Sequence, residues 1–173
     1  MIKIKSKVLI QKCKKIKLLL SDVDGVLTDG GMYYTEKGEI MKKFNTKDGM
    51  GVELLRKNKI DVVLITREKS VIVKKRAKKI NVEAHIGILD KKKILNKICK
   101  KYNVKYEETA YIGDDVNDLE IMKQVGFSAS PSDAVDKVKK ISNYISSLKG
   151  GNGVLREIAD MIITIKSDNE EIK

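Results

Sequence analysis

Short apolar runs alternate with amphipathic, lysine-rich stretches along most of the chain. Ile16 to Val23 is a run of buried-strand type, ended by a cluster of Asp and Gly in which a loop begins. Met32 to Tyr34 and Glu39 to Phe44 flank Glu36-Lys37-Gly38 and predict a β-hairpin, the glycine supplying a permissive turn conformation. A helix opening at Thr46 carries Val52, Leu54 and Leu55 towards the core, and Ile60 to Ile65 reads as a second buried strand. The alternation continues with a helix over 70–79, a strand over 82–86, a helix over 90–102, a strand over 109–112 and a helix over 116–124. Phe127 to Ala129 and Asn143 to Ile145 predict shorter late strands, Gly153 to Ile165 a last helix with an apolar stripe, and Lys166 to Lys173 a frayed tail.

Strands alternating with helices require crossovers, so the pattern predicts an α/β domain: a three-layer, Rossmann-like parallel sheet covered on both faces. Ligands of such sheets collect at the carboxyl ends of the strands. At 173 residues the chain is long enough for one well-buried domain spanning 1–173 and too short for two large ones. The hairpin is an insertion at about 31–44, and a glycine-rich turn and helix close the chain at about 150–166.

Composition narrows the partners. The longest uninterrupted apolar stretches, Leu18 to Leu20 and Val62 to Ile65 among them, fall far short of the roughly 20 residues a membrane helix needs. The basic stretch Met1 to Lys17 is broken up by lysines and lacks a small-residue cleavage site, so a cytoplasmic location is expected. Cys13 and Cys99 are expected as free thiols, and the lone His85 as a packing residue. The formal charge of +12 raises nucleic acid, an acidic membrane or a polyanionic small substrate as partners. The lysines are scattered and lack interleaved aromatics, which argues against nucleic acid and leaves the small anion.

The candidate chemistry sits at the strand ends. Asp22-Val23-Asp24-Gly25 follows the first strand, Thr66 the second, Lys91 opens the helix after the third, and Gly113-Asp114-Asp115-Val116-Asn117-Asp118 follows the fourth. Paired carboxylates are hard oxygen ligands suited to Mg²⁺. Phosphoryl transfer needs an in-line nucleophile, donors for the equatorial oxygens and positive charge against the transition state. Asp22, Thr66, Lys91 and Asp114 supply those parts. Each alone is commonplace, since acidic residues beside glycine also make ordinary turns; the order of all four at strand ends is what carries the argument.

These motifs resemble the four ordered motifs of the haloacid dehalogenase superfamily, with the hairpin standing where other members carry a cap domain. The resemblance implies that Asp22 is a nucleophile that becomes phosphorylated, and that Asp24 protonates the leaving oxygen and then activates water. It implies a Mg²⁺ ion held by Asp22, the backbone carbonyl of Asp24 and Asp114, with Asp115, Asn117 and Asp118 as outer-shell candidates. Phe44-Asn45-Thr46-Lys47-Asp48-Gly49-Met50-Gly51 and Gly150-Gly151-Asn152-Gly153-Val154-Leu155-Arg156-Glu157 narrow the resemblance to the capless sugar-acid phosphatases of eight- and nine-carbon ulosonates. Members of that group are homotetramers in which a neighbouring subunit covers the site. Lys47, Asp48 and Arg156 are substrate-binding candidates on these segments. The eight-carbon enzymes carry Gly-Arg after the second-motif threonine, whereas Thr66-Arg67-Glu68-Lys69 and Lys79 resemble the nine-carbon enzymes, so Glu68 and Lys79 are the specificity candidates. Three competing readings are a receiver domain, whose phosphoacceptor would sit on a third strand that here ends without an aspartate, a catalytically silent module on the same fold, and a basic nucleic-acid-binding protein, which strong salt-dependent binding to mixed DNA or RNA would reveal.

Overall fold

The computed structural model describes residues 6–167. Its centre is β1 (Leu18–Ser21), whose residues are all buried. Successive side chains of a strand face opposite ways, so Leu19 joins one apolar cluster while Leu18 and Leu20 join another. The flanking strands β4 (Asp61–Ile65) and β6 (Thr109–Ile112) pair with β1 in parallel and divide their residues in the same manner. Outside them lie β5 (Glu83–His85) on one side, and β7 (Phe127–Ser130) and β8 (Tyr144–Ile145) on the other. The order β5-β4-β1-β6-β7-β8 is parallel throughout. The chain builds outwards from β1 in one direction and then in the other, which opens a crevice at the carboxyl end of β1.

Four helices bury against the Leu19 face: α1 (Lys7–Lys15), α2 (Thr46–Lys57), α3 (Val71–Ile80) and α7 (Val154–Ser167). The opposite face is covered by α4 (Lys91–Tyr102), α5 (Leu119–Met122) and α6 (Asp136–Ile141). The antiparallel hairpin of β2 (Tyr33–Thr35) and β3 (Gly38–Met41) forms a separate two-stranded sheet and exposes Tyr33, Tyr34, Ile40 and Met41.

The predicted order of strands is the observed one, with individual ends displaced; the second hairpin strand, expected to reach Phe44, stops at Met41. Four helical features depart from the prediction. The lysine-rich N-terminal stretch forms α1, because Cys13 and the following Ile16 are buried while Leu9 and Ile10 pack partly against the same cluster. The helix predicted over 116–124 is instead a 3₁₀ turn at Val116–Asp118 followed by the short α5, because Asp115 and Asp118 carboxylates capture nearby backbone N–H groups. A further short helix, α6, lies between β7 and β8, and α7 extends to Ser167. The expected frayed tail falls from 168 onwards outside the described residues.

Candidate active site

Asp22 continues the β1 ladder by one bond, donating its N–H to the Ile112 carbonyl at 2.9 Å, so its side chain emerges where the crevice opens. One carboxylate oxygen, Oδ1, accepts the Val23 N–H at 2.7 Å, and Oδ2 lies 2.9 Å from Lys91 Nζ. Lys91 heads α4 and is almost fully buried, and its ammonium also lies 2.6 Å from Asp118 Oδ1. Asp118 is wholly buried and saturated: Oδ1 also accepts the Tyr111 hydroxyl at 2.7 Å, while Oδ2 accepts the N–H of Asp114 at 3.0 Å and of Asp115 at 3.4 Å. It therefore braces both the lysine and the loop that presents Asp114. Two glycines make this convergence possible. A Cβ on Gly25, which has φ +87°, would stand 2.0 Å from Asp114 Oδ2, and one on Gly113 would stand 2.6 Å from the Asp118 side chain.

Asp22, Asp114 and Asp118 hold carboxylate oxygens within 4.8 Å of one another. Against these three carboxylates stands the ammonium of Lys91, so full ionisation would leave two negative charges in a poorly solvated place. Burial and the nearby Asp118 push the Asp114 carboxyl up to about 7. Burial, reinforced by Asp118, also raises Asp22, with Lys91 opposing. Burial disfavours the ammonium of Lys91, but Asp22 and Asp118 outweigh it and hold its pKa above the ordinary lysine value. Asp114 Oδ1 is buried with no hydrogen-bond partner. An all-oxygen donor set, an excess of carboxylate over ammonium and an orphaned acceptor fit a divalent hard cation such as Mg²⁺.

The cleft above this cluster, about 230 Å³, is lined by Asp22, Asp24, Thr66, Arg67, Glu68 and the loop from Asp114 to Asn117. Thr66 Oγ1 donates to Asp24 Oδ2 at 3.2 Å and accepts the Glu68 N–H at 3.1 Å. The structure thus brings Asp22, Asp24, Thr66, Glu68, Asp114, Asp115 and Asn117 to one cleft, with Lys91 and Asp118 directly beneath. Lys47, Asp48, Lys79 and Arg156 do not line it. Lys47 and Lys79 are exposed on α2 and α3. Asp48 is buried beneath α7, where it accepts the Arg156 N–H at 3.1 Å, and the Arg156 guanidinium is engaged by Asp160 at 2.8 Å. These two tie α2 to α7. His85 lies on β5 with Nε2 3.0 Å from Glu83, outside the cleft. Sequence reasoning passed over Lys42, whose buried ammonium lies 2.6 Å from Asp24 Oδ1; nothing in a chain with so many lysines marks it out.

The sequence profile of the haloacid dehalogenase-like hydrolases matches residues 54–158. The 3-deoxy-D-manno-octulosonate 8-phosphate phosphatase of Yersinia pestis is 36% identical over 155 residues, covering 89% of this chain and 83% of the relative. The Haemophilus influenzae enzyme of the same name is 37% identical over 154 residues, covering 88% and 86%. The crystal structure of the Moraxella catarrhalis phosphatase, in complex with magnesium ion, phosphate ion and a KDO molecule, superposes with a TM-score of 0.89 at 34% identity, covering 95% of each chain.

Proposed function

This chain belongs to the haloacid dehalogenase-like hydrolases and is a phosphomonoester hydrolase, and we propose that it removes phosphate from a sugar acid through an aspartyl-phosphate on Asp22. The observation that carries the reading is the buried excess of carboxylate over ammonium directly beneath a cleft that also holds Asp24 and Thr66.

The carboxylates of Asp22 and Asp114, with the backbone carbonyl of Asp24, would hold Mg²⁺. When bound, the ion supplies charge neutralisation that lets an anionic phosphate approach an anionic nucleophile. Asp22 attacks phosphorus as the bond from phosphorus to the sugar oxygen breaks, and that oxygen leaves with the electron pair and takes a proton from Asp24. Asp24, now a carboxylate, accepts a proton from water as the water oxygen attacks phosphorus, and the Asp22–phosphate bond breaks to release inorganic phosphate. Lys91 holds Asp22 in place and offsets charge gathering on the phosphoryl oxygens, and the Thr66 hydroxyl, whose partner here is Asp24 Oδ2, would be redirected to one of them when phosphate binds.

The reading of the sugar acid rests on what surrounds the phosphate site. Glu68 lines the cleft beside Arg67, which supports a nine-carbon 2-keto-3-deoxy 9-phosphate as substrate, the group whose second motif this segment resembles. A second reading, the eight-carbon 3-deoxy-D-manno-octulosonate 8-phosphate, is favoured by the names of the relatives above 30% identity. The exposed apolar residues of the hairpin support assembly into a homotetramer through that element. Initial rates on the two ulosonate phosphates with Mg²⁺, for wild type and Glu68→Ala, test the substrate. The nine-carbon reading expects wild type to prefer the 9-phosphate and Glu68→Ala to lose that preference while keeping its rate on an aryl phosphate. Preference for the octulosonate overturns it, and no turnover of either overturns the sugar-acid reading.

A further inference from the structure

Most lysines of this strongly basic chain lie on the surface, but the side chain of Lys42 is fully buried at the end of the exposed hairpin. Its Nζ lies 2.6 Å from Asp24 Oδ1 and 2.6 Å from Glu39 Oε1. The other oxygen of Glu39 accepts the Ser70 hydroxyl at 2.7 Å. Ser70 occupies the N-cap position of α3, yet its side chain caps nothing in its own helix and is spent on Glu39 instead. The Asp24 carboxylate is consequently held from two sides: Lys42 from the hairpin on Oδ1, and Thr66 from the loop after β4 on Oδ2.

Burying an ammonium with two carboxylates is a poor way to dock a hairpin, since apolar residues of similar volume do so at no desolvation cost. A serine diverted from its cap adds to that cost. Burial works against the ammonium, but Asp24 and Glu39 outweigh it, so Lys42 stays charged. The arrangement is explained by what it does for Asp24.

We propose that Lys42, anchored by Glu39 and Ser70, is a positioning residue that fixes the Asp24 carboxylate with Oδ2 turned to the phosphate cleft, and so makes the hairpin part of the catalytic apparatus. The role rests on the reading of Asp24 as the acid that protonates the leaving oxygen and the base that activates water. Removing the ammonium leaves Asp24 and Glu39 facing each other without their shared cation, and Asp24 loses the contact that sets its orientation.

The test is turnover of an aryl phosphate series with Mg²⁺, from p-nitrophenyl phosphate, whose leaving oxygen needs little protonation, to phenyl phosphate, whose leaving oxygen needs more. Wild type, Lys42→Met, Glu39→Gln and Asp24→Asn are compared. Lys42→Met is expected to lower kcat/KM, which reports the transfer to Asp22 and not the water step common to all substrates, about tenfold on phenyl phosphate and less than about threefold on p-nitrophenyl phosphate. Glu39→Gln is expected to move in the same direction by a smaller factor, and it carries the test if Lys42→Met does not fold. A merely structural role lowers the whole series equally. If Asp24→Asn shows leaving-group dependence while Lys42→Met and Glu39→Gln do not, the reading of Asp24 stands and the role of Lys42 falls. If Asp24→Asn shows none, both fall.

Discussion

Lys91→Met replaces a buried ammonium by an apolar side chain of similar length and leaves its two partners in place. The side chains of Lys91, Asp22 and Asp118 are 1%, 7% and 0% exposed, so water cannot take over the lost contacts at 2.9 and 2.6 Å. Removing one partner of such a pair costs about 3–5 kcal/mol, because the remaining charge is buried and uncompensated. For a domain of this size each kcal/mol lowers Tm by about 2–4 °C, so the variant is expected to melt about 6–20 °C below wild type in EDTA. Proton uptake by the cluster softens the loss at low pH, and the gap widens as the pH is raised. Mg²⁺ recovers part of the stability, since the Asp22 and Asp114 carboxylates remain, but it does not recover turnover. Thermal melts in EDTA and in Mg²⁺, paired with initial rates on p-nitrophenyl phosphate, measure both effects. A variant that melts within about 2 °C of wild type and keeps its turnover refutes the reasoning.

Gly25→Ala is expected to lower Mg²⁺ affinity sharply, because its Cβ would meet Asp114 Oδ2 at 2.0 Å and the backbone at φ +87° disfavours any side chain; isothermal titration with Mg²⁺ checks this. In EDTA, wild-type stability is expected to fall as pH rises from about 4 to about 7. Across that window the folded protein keeps a proton at Asp114, raised from 3.8 to about 7, that the unfolded chain releases. Saturating Mg²⁺ should flatten this slope, and urea titrations at several pH values read it.

The sheet and the four ordered motifs were legible because each depends on local pattern. Short, β-branched apolar runs such as Val62 to Ile65 read as buried strands, and parallel crossovers deliver their carboxyl ends to one edge. Thr66 and Asp114 could therefore be placed without knowing any distance. What escaped depends on long-range burial. Asp118 reads as one of three outer-shell candidates at a helix start, and its position at the centre of the cluster follows from Tyr111, Lys91 and the N–H groups of 114 and 115 closing around it. Asp48 reads as a substrate-binding candidate and lies instead buried between α2 and α7, accepting the Arg156 N–H. Lys42 is indistinguishable from its exposed neighbour Lys43 until the hairpin folds back on Asp24.

Covalent chemistry at Asp22 is tested most directly by mixing enzyme and Mg²⁺ with ³²P-labelled substrate, quenching in acid within the first turnover, and reducing the trapped acyl phosphate with borohydride. Peptide mapping is then expected to find homoserine in place of Asp22, with label absent from Asp22→Asn. Turnover by wild type with no trapped phosphate, or with the modification at another residue, would contradict it.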